Sequence, residues 1–266
     1  MVKAVFFDID GTLVSFTTHT IPDSTRRALQ ALRQNGVKVF IATGRPPAQT
    51  AFLDTLADFR FDGIVAMNGQ YCTDETGPFY EKSIPTASLR QLLPWLEQSG
   101  LACSFVELDY GYLNRVSQQV LDLYAMLGGT VDQEPVDDPV RALTHTTYQL
   151  SAYLPAEQEA EFLAHLPGCR AVRWNPCFAD IIPADGGKPV GVGKMLERFG
   201  LTREESMAFG DGGNDIPMLR HAAVGVAMGE AAEAVRAAAD HVAPAVDDDG
   251  IARTLERYGV IDPRRP

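Results

Sequence analysis

The sequence predicts an α/β protein in which a doubly wound parallel-sheet core is interrupted by an inserted α+β domain. The first observation is the alternation of short apolar runs with amphipathic segments at both ends of the chain, which is typical of such a sheet. The second is a change of pattern in the central hundred residues, where strand-like segments alternate between apolar and polar residues. With 266 residues, the chain can bury the core of one large domain or two ordinary ones.

The N-terminal part is predicted to contain three strands separated by two helices. Each strand is a short apolar run followed by glycine or polar residues, as expected for strands buried on both faces of a parallel sheet. Asp23 is expected to cap the first helix, and Gly36 is expected to end it. The predicted strands are residues 2–7, 37–42 and 63–67, and the predicted helices are residues 23–35 and 46–57. Ligands of such a sheet bind beyond the carboxyl ends of its strands.

The pattern changes after Asn68, where residues 70–84 are predicted to form a hairpin, and the alternation of strands and helices resumes at Lys188. The intervening helices are predicted at residues 87–98, 118–127 and 156–165, and the intervening strands at 102–108, 148–154, 170–174 and 179–182. Beyond them we predict helices at residues 188–199 and 231–239, a helix ending at residue 221, and strands at 206–209 and 223–227. We therefore assign residues 1–82 and 185–266 to the core and residues 83–184 to the inserted domain.

The composition is that of a globular protein with an acidic balance. Lys and Arg number 23, whereas Asp and Glu number 35, so the net charge is −12. This charge repels polyanions, and we expect neither a nucleic-acid partner nor binding to anionic membranes. The four cysteines lack zinc-site spacing and are expected to be reduced thiols, most of them buried. The apolar runs are too short for a signal peptide or a membrane span, which favours a soluble cytoplasmic protein, monomeric or weakly homo-oligomeric.

Two polar motifs follow the first two predicted strands. In the first, Asp8 and Asp10 precede a glycine that lets the chain turn, so both carboxylates can face one pocket. In the second, the Thr-Gly-Arg segment at residues 43–45 offers a hydroxyl and a free N–H next to a helix N-terminus, a combination that suits a phosphoryl group. Taken singly, the motifs also fit solvated loop aspartates and an ordinary turn.

Two further motifs lie in the C-terminal core segment. Lys188 follows a glycine pair and could neutralise phosphate charge. Asp211 and Asp215, in the segment Gly-Asp-Gly-Gly-Asn-Asp after a predicted strand, offer the hard oxygen ligands that Mg²⁺ prefers. A solvated lysine and a glycine-rich acidic turn remain the alternatives when each motif is taken alone.

The four motifs in this order resemble those of the haloacid dehalogenase superfamily. The insertion between the second and third motifs, the segment Gly-Ile-Val-Ala-Met-Asn-Gly at residues 63–69 and the segment Asn-Asp-Ile-Pro-Met at residues 214–218 resemble its Cof-type, or type IIB, sugar-phosphatase branch. The resemblance implies a Rossmann-like core with an inserted cap domain. The chain departs from the family at Pro189, where a glycine usually follows the lysine. Because proline suits the first turn of a helix, we expect altered local geometry and a retained lysine function.

The resemblance also implies roles for individual residues. Asp8 corresponds to the nucleophile, and Asp10 to the general acid that later acts as a base. Mg²⁺ is expected to be held by Asp8, the main-chain carbonyl of Asp10 and Asp211, with Asp215 acting through water. The residues expected to hold the phosphoryl group are Thr43, Gly44, Lys188 and Asn214, and those expected to line the core side of the cleft are Arg45 and Asn68.

Four residues of the inserted domain are candidates for contact with the rest of the substrate, with surface exposure or packing as the alternative. They are Glu107, Asp109, Tyr112 and Trp174. The five histidines show no metal spacing and are assigned no chemistry. The Asp-Asp-Asp run at residues 247–249 is expected to form the acidic first turn of a helix rather than a metal site.

The function predicted by the motifs and the resemblance together is that of a Mg²⁺-dependent phosphatase. It would act on small phosphorylated metabolites, chiefly sugar phosphates, through an aspartyl-phosphate on Asp8. Two alternatives stay open: a phosphomutase on the same scaffold, similar to phosphomannomutases, and a catalytically idle protein that binds a phosphorylated metabolite.

Overall fold

The computed structural model describes residues 1–127 and 133–262. Within these residues the strands are β1 (Ala4–Phe7), β2 (Lys38–Ala42), β3 (Gly63–Ala66), β4 (Tyr71–Asp74), β5 (Gly77–Glu81), β6 (Cys103–Val106), β7 (Gly111–Leu113), β8 (Gln149–Ala152), β9 (Cys169–Asn175), β10 (Phe178–Pro183), β11 (Ser206–Gly210), β12 (Val224–Ala227) and β13 (His241–Val242). The helices are α1 (Asp23–Gln34), α2 (Phe52–Ala57), α3 (Thr86–Ser99), α4 (Gln118–Leu127), α5 (Glu159–Ala164), α6 (Lys188–Arg198), α7 (Ile216–His221), α8 (Glu233–Arg236) and α9 (Gly250–Arg257).

The larger sheet has eight strands in the order β13-β12-β11-β1-β2-β3-β4-β5. The strands from β13 to β3 run parallel, and the β4–β5 hairpin continues the sheet with antiparallel pairing. Successive apolar side chains of β1 point to opposite faces of the sheet and pack in two separate cores. One core lies against α1 and α9, and the other lies against α6 and α7. Helices on both faces of a parallel sheet confirm the predicted doubly wound fold.

The second sheet has five antiparallel strands in the order β7-β6-β8-β10-β9 and lies between the two core segments in sequence. One face packs against α3 and α5 through alternate, fully buried side chains such as Phe105, Leu150 and Ile181. Its opposite face turns toward the end of the parallel sheet where the sequence motifs lie. This α+β unit corresponds to the predicted cap.

Several local predictions were wrong. Asp23 does not cap α1: the helix begins one residue earlier than such a cap requires, and Asp23 instead pairs with Arg26 inside the first turn at 2.6 Å. The predicted helix at 46–57 is split into a 3₁₀ turn (Pro47–Gln49) and α2. The helix predicted at 231–239 is the shorter α8, and the Asp run at 247–249 forms a 3₁₀ turn and a left-handed residue before α9 rather than its first turn. The strands β7 and β13 were not predicted, because neither of these short segments carries an alternating pattern of its own.

Two further predictions concerned the state of the cysteines and membrane-spanning helices. All four cysteines are free; two are buried and two are partly exposed. Among the described residues, no helix combines the length and the apolar character that crossing a membrane requires.

Candidate active site

Three neighbouring parallel strands bring the sequence motifs together. β1 lies between β11 and β2, so Asp8, Thr43 and Asp211 leave adjacent strands at the same edge of the sheet. Lys188 comes from a different direction, as the first residue of α6, and is buried. The predicted meeting of these motifs at one sheet edge is therefore what the fold produces.

The start of α6 is held against the core by a close backbone approach at Gly69. A Cβ on Gly69 would lie 2.2 Å from the carbonyl oxygen of Gly187, and its φ of +89° is itself a conformation that favours glycine. Pro189 follows Lys188 within the first turn of α6, where proline is tolerated. The departure at Pro189 does not keep the Lys188 side chain from reaching the acidic residues.

Lys188 joins two carboxylates inside the site. Its Nζ donates to Oδ1 of Asp8 and to Oδ1 of Asp215, both at 2.6 Å. Burial alone would lower the pKa of Lys188, but the carboxylates of Asp215 and Asp8 raise it above its ordinary value. The lysine therefore stays charged where it meets these acids.

The acidic residues outnumber the positive charges that face them. Burial raises the pKa of Asp8 to about 7; Lys188 opposes this shift, and the carboxylates of Asp215 and Asp10 add to it. Burial and the charges of Asp8 and Asp215 likewise raise the pKa of Asp211 well above its ordinary value. A cation bound here would relieve the repulsion and favour the ionised carboxylates.

The donor set fits a hard divalent cation such as Mg²⁺. Carboxylate oxygens of Asp8, Asp211 and Asp215 lie within 4.8 Å of one another. Asp215 is already occupied: Oδ1 accepts from Lys188, and Oδ2 accepts the backbone N–H groups of Asp211 (3.1 Å) and Gly212 (2.9 Å). This occupancy favours an indirect role for Asp215 and leaves Asp8 and Asp211 as the better-placed direct ligands.

Space beside the Asp211 carboxylate depends on Gly11. A Cβ on Gly11 would lie 2.4 Å from Oδ2 of Asp211, and the φ of Gly11 is +79°. Thr12, the next residue, donates through Oγ1 to the other oxygen, Oδ1 of Asp211, at 3.0 Å. The glycine and the threonine of the first motif therefore set the position of a carboxylate from the fourth.

Arg45 is engaged with Asp10. Its Nε donates to Oδ2 of Asp10 at 2.8 Å and its Nη2 donates to Oδ1 at 2.7 Å. The guanidinium therefore binds the carboxylate through two parallel hydrogen bonds. Arg45 is buried, and the backbone N–H of the same residue donates to Oγ1 of Thr43 at 3.1 Å. Arg45 lines the cleft, and its pairing with Asp10 could not be foreseen from the sequence.

A hydrogen-bonded chain of amides joins the core to the second sheet. Asn214 donates through Nδ2 to Oδ1 of Asn68 at 3.0 Å, and Asn68 donates through its own Nδ2 to Oε1 of Gln149 (3.0 Å) and Oδ2 of Asp180 (2.9 Å). Gln149 donates onward to the carbonyl oxygen of Gly44 at 3.4 Å. Asn68, expected to line the core side of the cleft, and Gly44, expected to hold the phosphoryl group, thus contact the facing sheet directly.

The cleft between the two sheets includes most of the predicted residues and several that sequence reasoning missed. Of the four candidates in the inserted domain, Trp174 lines it. The residues of this domain that line the cleft without having been singled out are Ser104, Val106, Leu123, Tyr124, Glu134, Gln149, Ser151, Tyr153, Phe178 and Asp180. The signal for Asp180 was present, since it is a single acid inside an otherwise apolar strand.

The other three candidates lie away from the cleft. Glu107 is gripped by Arg141 through two hydrogen bonds of 2.8 and 2.9 Å. Tyr112 is fully buried in the core of the inserted domain, where its ring stacks on Phe105 at 5.1 Å. Asp109 is exposed in the turn between β6 and β7. These three residues fit the packing or surface alternative.

Comparison with known proteins extends the likeness to the whole chain. Residues 5–255 match the family model of haloacid dehalogenase-like hydrolases. The solved structure of the HAD subclass IIB sugar phosphatase BT4131 is 41% identical, and the match covers 98% of this chain and 100% of that chain with a TM-score of 0.89. BT1666 from Bacteroides thetaiotaomicron, among phosphatases of the haloalkanoate (HAD) superfamily, is 33% identical, with coverage of 98% and 96% and a TM-score of 0.89.

A relative with a named substrate matches at lower identity. The 5-amino-6-(5-phospho-D-ribitylamino)uracil phosphatase YitU of Bacillus subtilis is 28% identical over 267 residues, which is 96% of this chain and 96% of that protein. The matches span the core and the inserted domain alike.

Proposed function

The chain belongs to the haloacid dehalogenase-like hydrolases and is a phosphatase of that family, and from this premise we propose that it hydrolyses sugar phosphates and related small metabolites with Mg²⁺ through an aspartyl-phosphate on Asp8. The observation that carries the proposal is the setting of Asp8. It follows the central strand, shares a buried lysine with Asp215, and lies within 4.8 Å of two other carboxylates.

The first half-reaction uses Asp8 as nucleophile and Asp10 as acid. A carboxylate oxygen of Asp8 forms a bond to phosphorus while the bond from phosphorus to the leaving oxygen breaks. Asp10 transfers a proton to that oxygen, so the product leaves as a neutral alcohol.

The second half-reaction reverses the role of Asp10. Its carboxylate takes a proton from water as the water oxygen attacks phosphorus, and the bond to Asp8 breaks to release inorganic phosphate. The two hydrogen bonds from Arg45 fix the plane of the Asp10 carboxylate. Arg45 is therefore assigned a positioning role.

Mg²⁺, when bound, would be held by Asp8, Asp211 and the main-chain carbonyl of Asp10, with Asp215 acting through water, and it would lessen the repulsion between the substrate and the carboxylates. Thr43, Gly44, Lys188 and Asn214 are assigned to the transferring phosphoryl group. In phosphoryl transfer, positioning and charge stabilisation of this kind supply most of the catalysis.

The proposed cap, residues 83–184, covers the reacting groups. Gln149 and Asp180 of the cap bond to Asn68 of the core, so the two units meet directly above the site. A closed cap excludes water from the ester bond and contacts the leaving group. The named substrates of the relatives, a sugar phosphate and a phosphorylated ribityl chain, support polyhydroxylated leaving groups.

The test compares wild type with Asp8→Asn. Phosphate release from a hexose 6-phosphate is measured with Mg²⁺ and with a chelator, and a ³²P-labelled acid-stable protein adduct is sought by rapid quench. Wild type should release phosphate only with Mg²⁺ and form the adduct, whereas Asp8→Asn should do neither while keeping its circular dichroism spectrum. Full activity in Asp8→Asn would refute the mechanism. An isomeric hexose phosphate formed from a hexose 1-phosphate without phosphate release would favour the phosphomutase.

A further inference from the structure

The cleft-facing side of the cap sheet carries three polar residues in register. Ser104 on β6 pairs with Ser151 on β8, and Ser151 pairs with Asp180 on β10. Paired residues on neighbouring strands project to the same face of a sheet, and all three line the cleft. We propose that this polar row, together with Glu134, forms a subsite that binds hydroxyl groups of the leaving group and selects uncharged polyhydroxylated substrates over anionic ones. The inference rests on the phosphatase function proposed above.

The polar row lies on the opposite face of the sheet from a layer of apolar side chains on the same strands. The neighbouring residues Phe105, Leu150 and Ile181 point to the opposite face and are fully buried against α3 and α5. Ser104 is 2% exposed and Asp180 is 3% exposed, so these polar groups are as enclosed as core residues. Burying polar groups is costly unless they gain hydrogen bonds, which makes a ligand with hydroxyl groups a suitable partner.

Asp180 lies where the leaving group must pass from the phosphoryl site into the cap. A Cβ on Gly44, which is assigned to phosphoryl binding, would lie 3.4 Å from Oδ2 of Asp180. That oxygen accepts from Asn68 at 2.9 Å, and Oδ1 accepts from Ser151 at 2.8 Å. Each carboxylate oxygen can accept two hydrogen bonds, and the described residues donate one to each, so each can accept a further one from a substrate hydroxyl.

Glu134 lies beside the polar row, next to β7. A Cβ on Gly111 of β7 would lie 2.6 Å from Oε1 of Glu134, so the glycine makes room for this carboxylate. The backbone N–H of Glu134 is held by the hydroxyl of Tyr124 at 2.9 Å. Burial raises the pKa of Glu134, the Ser104 hydroxyl lowers it, and the charge of Asp180 raises it further. The two carboxylates are thus close enough to influence each other, with Ser104 near Glu134.

The Ser104 hydroxyl lies close enough to Glu134 to lower the pKa of that carboxyl, but it forms no hydrogen bond of good geometry with it. Its Oγ is buried and forms no hydrogen bond of ordinary geometry with any residue in the described part of the chain. A substrate hydroxyl placed between Ser104 and Glu134 could donate to the carboxylate and accept from the serine. A polyol has hydroxyl groups that can donate and accept in this way, whereas an aryl or acyl group has none.

The charge of the cap wall supplies the selectivity. Among the described cap residues that line the cleft, Glu134 and Asp180 carry charge and none is Lys, Arg or His. The sequence of residues 128–132, Gly-Gly-Thr-Val-Asp, contains no basic residue either. A second phosphate or a carboxylate on the leaving group would meet these two acidic side chains on the cap side of the cleft, and like-charge contacts are strongly unfavourable. The cation among the described lining residues, Arg45, lies on the core side and is paired with Asp10.

An aromatic wall completes the subsite. Trp174 and Phe178 meet edge to face at 5.1 Å, and Tyr153 packs on Phe178 at 5.8 Å. All three line the cleft beside the polar row. Aromatic faces suit the apolar C–H surface of a sugar ring, whereas the carboxylates and serine suit its hydroxyls.

The first arm of the test is the substrate preference of the wild-type enzyme with Mg²⁺. kcat/KM is measured for a hexose 6-phosphate, the corresponding hexose 1,6-bisphosphate and p-nitrophenyl phosphate, which has no sugar hydroxyl. The monophosphate should exceed the bisphosphate by at least tenfold. Equal values for the two hexose substrates would overturn the proposed selectivity while leaving the phosphatase function intact.

The second arm uses Glu134→Gln and Ser104→Ala. Each should lower the ratio of kcat/KM for the hexose monophosphate to that for p-nitrophenyl phosphate by about tenfold, because one hydrogen bond to the leaving group is weakened or lost. Glu134→Gln should also lower the ratio of kcat/KM for the hexose monophosphate to that for the bisphosphate. Asp109→Asn and Glu161→Gln, exposed carboxylates of the same domain outside the cleft, are matched controls that should leave the ratio unchanged. Ratios within twofold of wild type in both subsite variants would refute the subsite.

Binding without turnover separates this inference from the proposed function. Calorimetry on Asp8→Asn gives dissociation constants for the hexose monophosphate and bisphosphate, and the monophosphate should bind at least tenfold more tightly. If wild type released no phosphate from any substrate, the proposed function would fail, and these dissociation constants would still decide the subsite.

Discussion

Replacing Lys188 by methionine removes the positive charge that joins Asp8 and Asp215 while keeping a side chain of similar length. The Nζ lies 2.6 Å from an oxygen of each carboxylate, and the lysine side chain has no exposed surface. Lys188→Met therefore leaves buried carboxylates without their partner.

The expected loss of stability follows from this burial. Removing one member of a buried ion pair typically costs about 3–5 kcal/mol, because the remaining charge stays uncompensated. Protonation limits the cost: the pKa of Asp8 is already about 7 with the lysine present, and removing the lysine raises it further. At pH 5 Asp8 is mostly neutral in both proteins, so the loss in the free energy of unfolding should be smaller at pH 5 than at pH 8.

The expected loss of activity follows from the same contacts. A preorganised donor aimed at developing charge is worth about 3–4 kcal/mol in the transition state, which corresponds to a fall in kcat of about 10²–10³. Steady-state kinetics with Mg²⁺ would measure it, and urea unfolding with a chelator at both pH values would measure stability. Lys194→Met is the matched control, because Lys194 lies on the same helix, is exposed and pairs with Glu197 on the surface at 2.9 Å. A Lys188→Met protein that matched Lys194→Met in both stability and kcat would refute the reasoning.

Three further predictions concern the metal, the arginine and a glycine. Burial raises the pKa of Asp8 to about 7 and raises that of Asp211 as well. The stability that Asp8 contributes is therefore present below its ordinary pKa and is lost as pH rises through about 7, and the contribution of Asp211 is lost in the same direction. Mg²⁺ should raise Tm by more degrees at pH 8 than at pH 5 in a thermal-shift assay, and equal increases would contradict this. Arg45→Lys should lower kcat at least tenfold with little change in KM, because lysine cannot form the two parallel hydrogen bonds by which Arg45 orients Asp10, the proposed general acid. A change confined to KM would indicate that Arg45 contacts the substrate instead. Gly11→Ala should weaken Mg²⁺ binding in calorimetry, since its Cβ would lie 2.4 Å from the Asp211 carboxylate, whereas Gly36→Ala, at a φ of +73° with nothing within 4 Å, should bear only the backbone strain and leave Mg²⁺ affinity unchanged.

The core of the protein was largely predictable because its signals are local. A continuous apolar run such as β1, ending in a polar motif, marks a buried parallel strand and the position of its functional loop at once. The same holds for β2 and β11, and neighbouring parallel strands must bring their carboxyl ends to one edge. The types of residue at that edge and their approximate meeting point therefore followed from the sequence.

The cap was less predictable because its signals depend on pairing. Glu107 and Asp180 are both acids in predicted strands, yet the first is paired with Arg141 and the second faces the cleft. Tyr112 lies on β7, which became a strand only through pairing with β6. The pattern of residues within a single strand does not indicate which face of the cap sheet lies toward the core domain.

By itself, the sequence determined which chemical groups the loops of the core offer: acidic residues and a Thr-Gly-Arg turn at the ends of strands and a lysine at the start of a helix, with an excess of negative charge that favours a cation. Only the tertiary structure decided which of these groups touch. Lys188 bonds to Asp8 across 180 residues and Asn68 to Asp180 across 112. Such contacts are set by how helices and sheets pack, whereas sequence patterns report the surroundings of a residue only within its own element.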